Sequence, residues 1–226
     1  MTGYPVRPEL YSLDRATARQ ELGIDPDEKL LLVFGGSRGS RSINQALVAG
    51  LRDLLPVCQV VHVSGTLDAD WVAGAAKKLP EELRGRYHHH AYLHDNMAQA
   101  LVAADLVVSR AGAATLGEFP AAKLPAILVP YPHSGQHQNP NAAYMVRNGA
   151  ARSLPDADLK EKLVPMVLDL LEDATALADM RESANAMARP DAAEAIAEQL
   201  WALARLRSVL APSTSGEGAG GMGAGQ

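Results

Sequence analysis

Three stretches of the chain carry residue types whose spacing can do chemistry. The first is Gly35-Gly36-Ser37-Arg38-Gly39-Ser40. Glycines let backbone N–H groups approach a phosphate closely, and a helix N-terminus behind them favours negative charge. Ser37 adds a hydroxyl donor. The stretch lacks the Gly-Lys-Ser/Thr ending of a P-loop and the Gly-x-Gly-x-x-Gly spacing of a dinucleotide site. The next apolar run ends in Val63-Ser64-Gly65, with no carboxylate to hold an adenine ribose. ATP and NAD therefore lose ground, and a tight turn holding no ligand is the alternative.

The second stretch is Ser109-Arg110-Ala111-Gly112-Ala113-Ala114-Thr115, running on to Gly117-Glu118. Small residues opening a helix leave its first N–H groups free for a diphosphate or a sugar hydroxyl. Glu118 falls in the first two turns, where a carboxylate can accept from both hydroxyls of a ribose. The same glutamate can equally complement the helix dipole while facing solvent. The third stretch, Tyr131 to Asn141, is dense in amides and imidazoles. Gln138 and Asn141 suit hydroxyl-rich ligands. His133 and His137 stand four apart, but Gly135 and Pro140 argue against one continuous helix, and no carboxylate accompanies them, so no metal site is expected. His88, His89 and His90 lie in a strand-like segment whose rings alternate between faces, which predicts a partly exposed polar strand. His94 opens the next loop and can approach a ligand.

The elements that must position these loops follow from apolar periodicity. Strands are expected at Lys29–Phe34, Cys58–Val63, Arg86–Leu93, Leu106–Ser109 and Ala126–Pro130, with an extended piece at Ala151–Leu154. Helices are expected at Ser42–Leu55, Asp70–Leu79, Asn96–Ala104, Ala113–Ala122, Asn139–Asn148, Ala157–Glu172, Thr175–Ala188 and Ala192–Leu206. Strand and helix alternating at this rhythm predict an α/β fold, a Rossmann-like parallel sheet covered on both faces. Ligands of such sheets bind beyond the carboxyl ends of the strands, where the three stretches fall. Residues 1–26 read as a linker region and first turn, 27–206 as the folded domain, and 207–226 as a disordered tail poor in core-forming residues.

Composition narrows the function class. The formal net charge of -5 argues against a nucleic-acid binder. Cys58 is the sole cysteine, expected as a buried inert thiol in a reducing compartment. No apolar leader is visible near Met1, and apolar runs stop far short of the roughly 20 residues of a spanning helix. A cytoplasmic chain is expected, able to touch a membrane surface through a partner.

Taken together, Thr2-Gly3-Tyr4-Pro5-Val6-Arg7, Gly35-Gly36-Ser37-Arg38-Gly39, Asp95-Asn96-Met97, Ser109 through Thr115 with Glu118, and His133 through Gln138 with Asn141-Ala142 resemble the C-terminal half of the bacterial peptidoglycan GlcNAc transferases, the MurG family. The resemblance runs from about Thr2 to Leu206. It implies the C-terminal domain of a GT-B glycosyltransferase, holding UDP-GlcNAc. Glu118 would bind the ribose hydroxyls, and Ser37 with Arg7 would contact the diphosphate. The backbone at His94 would meet the uracil edge. Arg110, Ala113, Ala114 and Thr115 would line the phosphate and sugar region, and His137 and Gln138 would read the GlcNAc hydroxyls. The implied reaction is inverting transfer of GlcNAc to a lipid-linked muramyl-pentapeptide, without cofactor or catalytic metal.

Tyr4 stands where the family usually has asparagine, and Pro132, Gly135 and His137 vary the usual loop. The family's N-terminal half, with its acceptor site and general base, has no counterpart here, so the chain by itself is expected to be inactive. A piece of the peptidoglycan enzyme, a separate donor-binding subunit and a non-catalytic sugar-nucleotide module all fit the sequence. An epimerase on the same fold would need acidic groups near the sugar, which these loops do not supply.

Overall fold

The computed structural model describes residues 2–36, 38–94, 96–132 and 137–210, without the side chains of 206–210. Ser37, Asp95, His133 and the 211–226 tail lie outside the described residues. Two short helices open the chain, α1 (Glu9–Ser12) and α2 (Arg15–Glu21). Then come β1 (Lys29–Phe34), α3 (Arg41–Leu54), β2 (Cys58–Val63), α4 (Ala69–Ala76), α5 (Glu81–Arg84) and β3 (Tyr87–His90). They are followed by α6 (Met97–Ala103), β4 (Leu106–Ser109), α7 (Thr115–Ala121), β5 (Ala126–Leu128), α8 (Gln138–Arg147) and β6 (Ala151–Ser153). A 3-10 turn at Asp156–Asp158 leads into α9 (Leu159–Glu172), α10 (Ala174–Met187) and α11 (Ala192–Leu210).

The six strands form one sheet in the order β3-β2-β1-β4-β5-β6, and every neighbouring pair is parallel. The expected α/β, Rossmann-like architecture is the observed one. Period-two alternation sends the residues of β1 to opposite faces. Leu30 and Leu32 join Leu101, Phe119 and Met145 on one side. Leu31 and Val33 join Leu47, Leu51, Leu163 and Val167 on the other. Strand order reverses between β1 and β4, so the loops leaving those two strands splay apart and open a crevice.

Residues 1–26 hold more structure than a linker with one turn. Asp14 caps α2, its carboxylate accepting from the Thr17 N–H at 2.9 Å. Leu10, Ala18 and Arg19 are buried. Arg19 donates to the carbonyls of Asp25, Pro26, Glu28 and Ala103 and pairs with Asp105 at 2.8 Å. Cys58 is buried as expected, and burial pushes its thiol up to about 12, far from a reactive thiolate. Among the described residues no helix is long and apolar enough to cross a membrane.

Candidate functional site

A cleft of about 990 Å3 lies at the carboxyl ends of β1 and β4. Its walls come from the loop after β1 (Gly35, Gly36, Arg38, Gly39, Ser40), the start of α3 (Arg41, Ser42), and the loop after β4 running into α7 (Arg110, Gly112, Ala114, Thr115, Glu118). Tyr131, Pro132, Gln138, Leu67, Asp68 and Asp156 complete the lining.

Close backbone approach explains the glycines of the first loop. Gly39 has φ +75, and a Cβ there would sit 2.2 Å from the Ser64 carbonyl oxygen. The turns after β1 and β2 therefore interlock, and only glycine fits. Gly117 is the second such place. A Cβ on it would meet Val6 Cγ1 at 2.7 Å and the Tyr4 carbonyl oxygen at 2.8 Å, so the segment bearing Arg7 lies tight against α7.

Glu118 is the electrostatic feature of the cleft. It is part-buried on α7, and desolvation raises its carboxyl above the usual glutamate range, partly offset by the positive charge of Arg7. Among the described residues no hydrogen-bond donor reaches this carboxylate. Arg7 and Arg38 are exposed and form no ion pair among the described residues. The cleft thus holds a carboxylate with no described donor and Arg38 with no described ion pair, with Arg7 outside its lining, which is what a ligand bearing hydroxyls and phosphate can complete.

Arg110 is different. Its side chain is only 10% exposed and pairs with Asp156, while Nη2 donates to Ser42 Oγ at 2.8 Å. Nη1 also donates to the carbonyls of Val129 and Pro130, and the guanidinium carbon lies 5.1 Å from the Tyr131 ring centre. Thr115 is buried, its hydroxyl donating to the Gly112 carbonyl at 2.7 Å. Gln138, in the cleft wall, accepts from the Tyr131 N–H through its side-chain carbonyl oxygen at 3.0 Å. Asn141, the other amide of that stretch, donates instead to the Ala111 carbonyl at 3.0 Å.

Of the expected site residues, Arg110, Ala114, Thr115, Glu118 and Gln138 share the cleft wall. Arg7, His94, Ala113 and His137 are exposed outside its lining; the charge of Arg7 still reaches Glu118. His94 sits against the Tyr92 ring, centres 4.5 Å apart. Ser37 lies outside the described residues.

Sequence reasoning missed the polar support beneath the cleft. His62 is buried, with Nε2 bonded to Asn44 Oδ1 at 2.9 Å and Nδ1 to the Tyr87 hydroxyl at 2.6 Å. Since Asn44 Oδ1 can only accept, the proton of the neutral ring sits on Nε2 and Tyr87 donates to Nδ1. Burial holds His62 down to about 3. Asn44 in turn donates to the Ser64 carbonyl and to Asp68, each at 2.8 Å, fixing the loop after β2. His88 and His89 are bound too, to Gln59 and Ser64, both at 2.9 Å. The strand is partly exposed, as expected, with His88 and His89 hydrogen-bonded to its neighbour.

With this geometry in place, comparison with known proteins decides the family. Residues 30–196 match the model of the glycosyltransferase family 28 C-terminal domain. This chain belongs to that family. A UDP-N-acetylglucosamine--N-acetylmuramyl-(pentapeptide) pyrophosphoryl-undecaprenol N-acetylglucosamine transferase of Roseiflexus sp. (strain RS-1) is 45% identical over 217 residues, covering 87% of this chain and 49% of its own. The chain spans about half the length of the curated relatives it matches. Among solved structures, Acinetobacter baumannii MurG superposes with a TM-score of 0.71 at 23% identity, covering 88% of this chain and 57% of that one. A UDP-GlcNAc 2-epimerase from Neisseria meningitidis bound to UDP-GlcNAc gives 0.59 at 12% identity, covering 83% and 48%. At these identities both likenesses speak for the GT-B C-terminal fold of this family 28 domain. The cleft lies beyond the carboxyl ends of the strands at the switch in strand order, where open α/β sheets generally take ligands.

Proposed function

We propose that this family 28 domain, residues 27–206 with the packed segment before it that bears Arg7, is the UDP-GlcNAc-binding half of an inverting transferase. Its reaction moves GlcNAc to a lipid-linked muramyl-pentapeptide acceptor at the inner membrane surface. The observation that carries the reading is Glu118, a desolvated carboxylate lining the cleft with no hydrogen-bond donor among the described residues. Two vicinal ribose hydroxyls supply the donors it lacks. Arg7 and the Ser37 hydroxyl take the diphosphate, beside the N-terminus of the 14-residue α3. The backbone at His94 takes the uracil edge. Ala113, Ala114 and Thr115 flank the phosphate and sugar, and the side-chain amide of Gln138, with His137 beside it, reads the GlcNAc hydroxyls.

The acceptor hydroxyl attacks the anomeric carbon as the bond to the UDP oxygen breaks, and UDP leaves with the electron pair. Its growing charge is stabilised here by Arg7 and the α3 dipole. The acceptor's proton passes to a base in the partner half, which also carries the acceptor site. No metal or cofactor enters this scheme.

Calorimetric titration with UDP, UDP-GlcNAc and 2′-deoxy-UDP, on the wild type and Glu118→Gln, tests the reading. Removing a charge-assisted acceptor is expected to lower UDP affinity by about 10- to 150-fold, about 1.5–3 kcal/mol. The wild type should bind 2′-deoxy-UDP nearly as weakly as the variant binds UDP. Equal wild-type affinity for UDP and 2′-deoxy-UDP would remove the ribose role and the reading with it.

A further inference from the structure

We infer that Arg110, although it lines the cleft, is a positioning residue for sugar recognition rather than a phosphate ligand; the inference rests on the UDP-GlcNAc reading above. Its charge is already matched by Asp156 in a nearly buried pair. Ser42 closes the triangle, donating to Asp156 Oδ1 at 2.7 Å while accepting from Arg110 at 2.8 Å. Nη1 donates to the carbonyls of Val129 and Pro130 and forms the ion pair with Asp156. A guanidinium held by its own chain on the Nη1 side and matched in charge by Asp156 is placed as a brace, with no unmatched charge left over for a phosphate.

What the cluster does is tie together four segments that come from different strands: the start of α3, the end of β4, the exit of β5 and the 3-10 turn after β6. The guanidinium also packs against the Tyr131 ring. Tyr131 in turn fixes Gln138, whose carbonyl oxygen accepts from the Tyr131 N–H. Arg110 therefore acts through Tyr131 on Gln138, an amide of the cleft wall. Its influence belongs at the sugar end of the ligand, leaving the nucleotide end to Glu118 and Arg7.

The test compares UDP with UDP-GlcNAc on the wild type, Arg110→Lys, Asp156→Asn, Gln138→Ala and the Arg110→Lys/Gln138→Ala double variant, each checked for a cooperative melt. Asp156→Asn is nearly isosteric and probes the same brace if Arg110→Lys fails to fold. Both brace variants are expected to weaken UDP-GlcNAc about tenfold, the worth of one hydrogen bond, while UDP changes less than about twofold. In the Gln138→Ala background, Arg110→Lys should cost UDP-GlcNAc nothing further. A merely structural role would leave the ratio of the two affinities unmoved. A phosphate ligand would weaken both together on Arg110→Lys and strengthen both on Asp156→Asn, as its competitor is removed. Either result, or no change in any variant, overturns the inference. Wild type that binds neither ligand overturns the donor reading itself, and this inference with it.

Discussion

Two carboxylates at opposite ends of the sheet, Asp105 and Glu118, are treated in opposite ways. At the amino ends of the strands, Asp105 is saturated. It accepts from Arg15 at 2.6 Å, Arg19 at 2.8 Å and the Leu30 N–H at 2.8 Å, with Arg181 at 3.7 Å. At the carboxyl ends, Glu118 is desolvated and unsatisfied by any described residue, and Arg7 and Arg38 stand without ion-pair partners. Both ends hold carboxylates near arginines, so composition does not tell them apart. Satisfaction does: a carboxylate whose lone pairs are filled by its own chain maintains the fold, and one left short of donors is held ready for a ligand.

The largest expected effect breaks that comparison from the structural side. Asp105→Ala removes the carboxylate from the nearly buried Arg19 and leaves the Leu30 N–H without its acceptor. Stripping one partner from a buried pair costs about 3–5 kcal/mol. For a domain of this size that lowers Tm by roughly 10 °C or more, readable by calorimetric melting. UDP affinity of the surviving folded protein should stay within about twofold. If affinity falls in step with stability, the two ends are not independent.

Sequence alone carried the sheet further than the site. Lys29–Phe34, Cys58–Val63 and Leu106–Ser109 are strands with the boundaries their apolar runs suggested, because a strand buried on both faces writes its limits in composition. Helix α2 left no such mark. Its buried positions are Ala18 and Arg19, and the arginine is satisfied by Asp105, 86 residues away. The same holds at the cleft. Glu118 and the glycine turns were legible because local spacing places them at a helix start. Asp156 was not, since its meaning depends on Arg110 folding back onto it. His62 looked like one more residue in an apolar strand until Asn44 and Tyr87 were seen on its two nitrogens.

That histidine gives the second, intermediate effect and sharpens the comparison from within the cleft's own support. His62 is held neutral down to about 3 in the folded protein, whereas in the unfolded chain it titrates near 6.5. The unfolded state therefore takes up a proton first as pH falls, and stability is lost progressively from about pH 6.5 toward 3. One such proton contributes a slope approaching about 1.4 kcal/mol per pH unit. His88, His89 and His90 are lowered by burial as well and add to the same limb. Urea midpoints between pH 7.5 and 5 should show His62→Gln with a shallower acid dependence than wild type. An unchanged slope would mean that the buried ring is not held neutral, and that this part of the cleft is less tightly satisfied than its geometry says.

The smallest effect is also the most telling, because it asks Glu118 to be costly as well as useful. Its carboxyl is raised chiefly by desolvation, with Arg7 pulling the other way. A raised folded value means the folded state favours the protonated form, so the group's contribution is best at low pH and is lost as pH rises through that value. At pH 7 the ionised carboxylate is therefore a net burden on the ligand-free protein. Glu118→Gln, which keeps the shape and removes the charge, should raise the apo Tm at pH 7 by roughly 1–2 °C, the equivalent of a few tenths of a kcal/mol in a domain of this size. At pH 4, where the wild-type group is largely protonated, the two melts should converge. The same variant is the one expected to lose UDP. A substitution that stabilises the empty protein while disabling the site is the signature of a residue kept for its ligand. A variant that melts lower than wild type at pH 7 would instead place Glu118 with Asp105, among the carboxylates that hold the fold.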